Sequence, residues 1–194
     1  MLLAEAAFML VGDGARAQNP PRRFDFEDVA VGGQPQGFTF ALTGGGGPVH
    51  WAVLDDPSAP AGPKVLAETS KDRTDARFPL AILDGMSVRD VAVSVRFRPV
   101  SGTVDQAAGL VVRLRDARNY YIARANALEG NVRLYRVVNG RRVQFAGVDT
   151  RVPRDLWQAL GLQAAGERFS VSLDGRELFT TTDRTFAEAG KVGL

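Results

Sequence analysis

Apolar and polar residues alternate along much of this chain with a period of two. Val91, Val93, Val95 and Phe97 alternate with Ala92, Ser94, Arg96 and Arg98, the pattern of a strand with one buried face. Ala108, Leu110, Val112 and Leu114 alternate in the same way with Gly109, Val111, Arg113 and Arg115. Asp116-Ala117-Arg118-Asn119 supplies turn chemistry, Tyr120 to Asn126 returns, and Leu128-Glu129-Gly130 leads into Val132 to Val138. Asn139-Gly140, between Val137-Val138 and Arg141-Arg142-Val143, is the strongest hairpin signal, because a type I′ turn needs positive φ at both positions. Asp174-Gly175 predicts a second hairpin, between Phe169–Leu173 and Glu177–Thr180. Phe24–Phe26, Phe38–Leu42, Val49–Leu54, Val65–Glu68 and Phe78–Leu83 are shorter candidate strands, separated by loops at Gly44 to Gly47 and Pro57 to Pro63. Only Asp155 to Gln163 competes as a helix, and Pro153 and Gly161 weaken it. Many short strands at close turn spacing predict an all-β, two-sheet antiparallel sandwich.

Pairing these strands locates a face. If Arg115 opposes Tyr120, then Arg113 opposes Ile122 and Val111 opposes Arg124, and opposed residues share a face. Across Asn139-Gly140, Val138 opposes Arg141, Tyr135 opposes Gln144, and Leu134 opposes Phe145. With Leu134 and Phe145 inward, the outward set is Arg113, Arg115, Tyr120, Arg124, Asn126, Arg133, Tyr135 and Gln144. Arg136 falls on the inward side, which points to a bulge or a sheet edge. Guanidinium forks bind oxygens in pairs and tyrosine offers an apolar face with a polar tip, so this surface suits a hydroxylated or anionic ligand. A solvated face, with the arginines paired to acids such as Asp116 and Glu129, satisfies the same alternation.

Composition narrows the chemistry. The absence of cysteine excludes disulfides, thiol catalysis and thiolate metal sites. A single histidine, His50, excludes a histidine-cluster zinc site and would have to serve any Ser-His-Asp triad. No metal or other cofactor is expected. Net charge is only +2 and the basic residues, nearly all arginine, are spread between acids, which argues against nucleic acid. No apolar run reaches the roughly 18 residues that a membrane helix needs. Leu2 to Val11 is short and mostly apolar, interrupted by Glu5, and Ala15-Arg16-Ala17 precedes Gln18 with the small-x-small form of a signal-peptidase site. A basic n-region is missing, so a helix packed on the domain is the alternative. The expected organisation is an export leader over 1–17 and one domain over 18–194, periplasmic or secreted.

Tyr120-Tyr121-Ile122-Ala123-Arg124-Ala125-Asn126, Asn131-Val132-Arg133-Leu134-Tyr135 and Asn139-Gly140 resemble the central hairpins of concanavalin A-like jelly-roll domains. The tail from Phe169 through Asp174-Gly175, Leu178-Phe179, Asp183 and Phe186 to Gly190-Lys191-Val192-Gly193-Leu194 is similar too. The resemblance covers Phe78 to Leu194 well and runs toward bacterial exported domains grouped with 3-keto-disaccharide hydrolase and laminin-G-like families. It implies two stacked antiparallel sheets and a concave face where sugars bind in relatives that bind them. Such domains usually continue past Gly-Lys-Val-Gly-Leu into a closing strand. Its absence here predicts an exposed edge near Phe24-Asp25-Phe26-Glu27.

Catalytic signatures are thin. The Glu-x-Asp-x-Glu strand of family-sixteen glycoside hydrolases is missing, and only Asp25 and Glu27 stand two apart on a candidate strand. Glu68, Asp84, Glu129 and Asp149 are the acids that could converge in a groove. Asp72 and Asp75 could ligate calcium or belong to a polar loop, and His50 beside Trp51 could be a base or structural. Gly44 to Gly47 lacks the Lys-Ser/Thr and helix of a phosphate cradle, and Trp157 is expected to cap the core. Three readings stand. The first is an exported, non-catalytic glycan-binding module using Arg113, Tyr120, Arg124, Asn126, Arg133, Tyr135 and Gln144. The second is a glycoside hydrolase related to the 3-keto-disaccharide family, and the third an envelope interaction domain. Whether the chain is catalytic, which glycan it meets and its oligomeric state are left open.

Overall fold

The computed structural model describes residues 2–9 and 22–194, the first segment as backbone only. The described residues form strands without a helix. In chain order they are β1 (Leu2–Met9), β2 (Arg22–Phe24), β3 (Phe38–Gly44), β4 (Trp51–Asp55), β5 (Lys64–Glu68), β6 (Arg77–Leu83), β7 (Val91–Pro99) and β8 (Ala107–Asp116). There follow β9 (Asn119–Asn126), β10 (Asn131–Val138), β11 (Arg141–Asp149), β12 (Gln158–Ala165), β13 (Arg168–Leu173), β14 (Arg176–Thr182) and β15 (Lys191–Gly193). One sheet, A, runs β14-β13-β12-β7-β1-β5-β4 with β2 also on β1; the other, B, runs β11-β10-β9-β8-β15-β6-β3. Every pairing is antiparallel.

The period-two pattern supplies the core. Val91, Val93, Val95 and Phe97 of sheet A face Leu110, Val112, Tyr121, Ala123 and Leu134 of sheet B in one buried cluster. Trp51 and Phe40 stack at 6.3 Å between ring centroids, and Tyr121 lies 4.6 Å from Phe169 and 5.2 Å from Phe186. The Tyr121 hydroxyl donates to Asp183 Oδ1 at 2.5 Å and accepts from the Phe186 amide at 3.0 Å. Arg136 is inward, as alternation requires, and pairs with Asp183. The irregularity in β10 falls between Leu134 and Tyr135, so Leu134 opposes Ala146 rather than Phe145.

Sheet B buries much of its other face as well. Leu80, Ile82, Val111, Leu114, Tyr120 and Val137 form a second cluster, each at most 5% exposed. The sheet achieves this by curling. Thr43 on edge strand β3 donates to the Ala117 carbonyl at 2.5 Å and shares a 2.8 Å hydrogen bond with the Tyr120 hydroxyl of β9. Arg142, on the opposite edge strand β11, lies over the Phe78 ring of β6 at 4.0 Å. Both edges therefore bend toward the same side, and that side is concave.

Several expectations are corrected. Val111 opposes Ile122 and Gly109 opposes Arg124, two residues away from the expected register, because Arg113 to Arg115 bulge out of the β8–β9 ladder. Arg113 takes φ 51° and turns its side chain into the end of the sandwich, where it is 1% exposed. It donates to the carbonyls of Arg89, Gly166 and Phe186, contacts Asp90 at 3.4 Å and lies over the Phe169 ring. Asp155 to Gln163 is not a helix: its second half belongs to β12. Trp157 packs outside sheet A against Val65 and Ala67, and its Nε1 donates to Ser58 Oγ. Leu2–Met9 is not a packed helix but a strand between β7 and β5. Residues 10–21, with Ala15-Arg16-Ala17, lie outside the described residues. The open edge expected near Phe24 is not overturned: β2 pairs with β1 on one side only among the described strands.

Arg113→Leu is expected to cost about 3–5 kcal/mol, as breaking a buried ion pair does, because three carbonyls and Asp90 lose their donor. Denaturant unfolding checks this, and a loss below about 1 kcal/mol would contradict it. Burial, then Asp183, pushes the Tyr121 phenol up to about 12. A phenol whose pKa rises on folding contributes stability that is complete below about pH 10 and is lost as pH climbs through 12. Tyr121→Phe should therefore be less stable at neutral pH and lose part of the alkaline transition, read as the unfolding midpoint from pH 8 to 12.

Candidate functional site

A cleft of about 390 Å³ opens on the concave side of sheet B. Gly109 of β8 and Ile122 and Arg124 of β9 form part of its lining, with Phe78 of β6 and Arg142 of β11. Residues 70–74 and 101–106, from the loops before β6 and β8, supply its walls. Glycine at 109 matters because a Cβ there would press on the Ile122 side chain and raise the floor.

Arg124 is the most constrained cation. Its Nη2 donates to Glu129 Oε2 at 2.5 Å and to Asn131 Oδ1 at 3.2 Å, and its Nη1 donates to Glu129 Oε1 at 3.3 Å. Asp105 lies 3.6 Å from the same Nη1. Beneath it the Tyr135 ring centroid is 5.5 Å from the guanidinium carbon. Asn126 holds this group together: its amide donates to Asp105 while its carbonyl oxygen accepts from the amides of Leu128 and Glu129. The two carboxyls respond oppositely. Burial raises the Asp105 pKa, with Glu129 adding to the rise against the pull of Arg124. Burial also acts to raise Glu129, but hydrogen bonds from Asn131 and Arg124 prevail and lower it.

Arg142 is held differently. Its guanidinium lies over Phe78 at 4.0 Å and over Tyr135 at 4.5 Å, with Asp105 and Glu129 near enough to attract it but not paired with it. Burial lowers its pKa, with Arg124 adding to the fall against the pull of Tyr135, Asp105 and Glu129. Across the cleft, Arg77 lies 3.7 Å from Glu68 and 3.8 Å from Asp72 and donates to the Pro48 carbonyl at 2.7 Å. Asp72 accepts from the Gly47 amide at 2.5 Å and the Thr74 amide at 2.7 Å, which lowers its pKa to about 2. The glycine loop is thus tied to the wall by Asp72. Gln106 Nε2 fastens the opposite wall to the Gly102 carbonyl at 3.1 Å. Three buried polar atoms of cleft residues have no protein partner: Trp51 Nε1, Gln106 Oε1 and Arg124 Nε.

The residues selected from the sequence divide into groups. Tyr120 and Arg124 line the cleft, Tyr135 is the stacking platform and Asn126 positions Asp105. Tyr120 is 1% exposed, and burial raises its pKa. Arg133 pairs with exposed Asp149 at 2.5 Å, and Gln144 is exposed; both lie beyond the cleft lining. Arg113 belongs to the sandwich end described above, and exposed Arg115 lies over the Phe186 ring. Of the acids, Glu68 lines the cleft, whereas Asp84 bonds Lys191 at 2.8 Å and Thr39 at 2.7 Å elsewhere. His50 is exposed and outside the lining. Arg142, Asp105 and Phe78 were not among the selected residues. Arg142 was within reach, being two residues before Gln144 on the same face of the Asn139-Gly140 hairpin.

No protein-family model matches the chain, and no curated protein matches its sequence. Solved structures do. The carbohydrate-binding module CBM66 from Bacillus subtilis superposes with a TM-score of 0.58, covering 79% of this chain and 84% of that one at 23% identity. The fold is the concanavalin A-like jelly roll. A prokaryotic β-1,3-1,4-glucanase (lichenase) derived from a mouse hindgut metagenome shares this jelly roll, with a TM-score of 0.50, 84% coverage of both chains and 10% identity.

Asp105 yields a sign-definite expectation. A carboxyl whose pKa rises on folding costs stability once ionised, and that cost grows as pH climbs above 3.8. Asp105→Asn keeps an acceptor for Asn126 and removes the cost. Chemical unfolding from pH 3 to 7 should find the variant at least as stable as the parent at pH 7, with the difference shrinking toward pH 3. A loss above about 1 kcal/mol at pH 7 would show that attraction to Arg124 outweighs burial.

Proposed function

We propose that this protein is a non-catalytic carbohydrate-binding domain, and that the cleft on sheet B holds the sugar. The observation that carries the reading is the cleft itself, where the guanidinium groups of Arg124 and Arg142 stand beside the rings of Tyr135 and Phe78. Guanidinium forks and aromatic faces set side by side fit a ligand rich in hydroxyls. A saccharide supplies both donors and acceptors on a ring with apolar faces, matching Ile122, Phe78 and Val104 in the same lining. A jelly-roll neighbour named as a carbohydrate-binding module supports the same conclusion. An exported setting, periplasmic or secreted, fits a glycan ligand, and it does not require cleavage after Ala17, which would detach strand β1.

Glycoside hydrolysis is the second reading, favoured by the opposite pKa directions of Asp105 and Glu129. Hydrolysis needs the scissile bond between two carboxyls. Here Asp105 and Glu129 both contact Arg124 Nη1, at 3.6 and 3.3 Å, so a guanidinium takes that place. Binding without cleavage fits the geometry better.

A glycan array probed with the full chain tests the reading. Binding to a defined glycan class is expected, and Ala107→Trp, which puts a large ring into the lining from a half-buried position, should abolish it without lowering the unfolding midpoint by more than a few degrees. An array without signal would overturn the proposal, and reducing sugar released from a bound glycan would favour the hydrolase.

A further inference from the structure

Charge counting inside the cleft names the class of sugar. Five cationic residues, Lys71, Arg73, Arg77, Arg124 and Arg142, line it with three acids, Glu68, Asp72 and Asp105. The acids are committed: Glu68 and Asp72 to Arg77, and Asp105, with Glu129 behind it, to Arg124. Among the described residues no carboxylate pairs with Lys71, Arg73 or Arg142. Lys71 and Arg73 are exposed on the wall, so water satisfies them. Arg142 is half-buried and lies over two aromatic rings, and no described residue accepts a hydrogen bond from it. Rings cover a guanidinium through its faces and leave its N–H groups directed outward in its own plane. Tyr135 also lies under Arg124, so two like charges flank one ring.

Resting on the glycan-binding reading above, we infer that the sugar carries an anionic group, a carboxylate or a sulfate, and that Arg142 binds it. A planar pair of oxygens fits the in-plane fork of Arg142. The anion also relieves the repulsion between Arg142 and Arg124, which a neutral sugar does not. Lys71 and Arg73 at the wall then raise the local concentration of acidic chains without contacting the bound group.

The experiment measures retention of the full chain on matched pairs: polygalacturonate against its methyl ester, and dextran sulfate against dextran, with polyacrylate as a charged chain lacking sugar. In at least one pair the acidic member should bind roughly tenfold more tightly, as one charge-assisted contact implies. The pair that shows this distinguishes carboxylate from sulfate. Arg142→Gln should bring that acidic glycan to the level of its neutral partner while lowering the unfolding midpoint by no more than a few degrees, and Arg142→Lys should recover only part of the preference. If Arg142→Gln does not fold, Lys71→Gln with Arg73→Gln, both exposed, should weaken the acidic glycan severalfold more than the neutral one. Equal binding within both pairs overturns the anionic inference while glycan binding stands, whereas no binding in either pair overturns both. Polyacrylate bound as tightly as the acidic glycan, or a preference that survives the variants, also overturns the assignment to Arg142.

Discussion

The bulge at Arg113 to Arg115 sets the two sides of sheet B. Without it, strict alternation would leave Arg113 on the concave side and send Leu114 into the sandwich. With Arg113 at φ 51°, the guanidinium fills the sandwich end and Leu114 joins the apolar cluster of the concave side. A non-glycine residue in that conformation costs about 1–3 kcal/mol. Hydrogen bonds made by a charged group contribute about 1.5–3 kcal/mol each, and Arg113 reaches three carbonyls, so the balance favours the bulge. Gly190 is part of the same arrangement, since a Cβ there would collide with the Arg113 backbone.

From that bulge follows a division of labour on the concave side. Near the β8–β9 turn the sheet curls until Thr43 meets Tyr120, and the surface becomes a small dry core. Farther along the same strands, where Gly109 and Arg124 face each other, it stays open as the cleft. Apolar packing thus fixes the positions of polar groups a few residues away. Arg124 and Arg142 share one tyrosine platform, yet only the first is paired directly with protein acids.

Much of this was legible in the sequence, and what was not has identifiable causes. Alternation located the strands, and Asn139-Gly140 set the β10–β11 register as far as Tyr135 opposite Gln144. The β8–β9 register escaped because Arg113-Leu114-Arg115 continues the polar-apolar rhythm through the bulge, so composition holds no mark of it. The curl left a trace that pairing alone does not interpret: Val111, Ile122 and Val137 are apolar at outward positions. Asp105 and Phe78 reach the cleft through loop conformation and sheet curvature, which no short-range pattern encodes. Leu2–Met9 has the apolar character of a leader and of a buried strand alike, and only its pairing tells which role the backbone gives it here.

That strand has a consequence for handling the protein. β1 is paired along all eight of its residues with β7, and on its other side with β5 and β2. Proteolysis anywhere between Met9 and Arg22 would free it to dissociate, leaving a socket roughly two inter-strand spacings, about 10 Å, across. Two facing rows of unsatisfied amides and carbonyls would border that socket, ready to accept any extended peptide that lies antiparallel to β7. Cleavage after Ala17 and an unbroken sheet A therefore exclude one another unless another segment takes the seat.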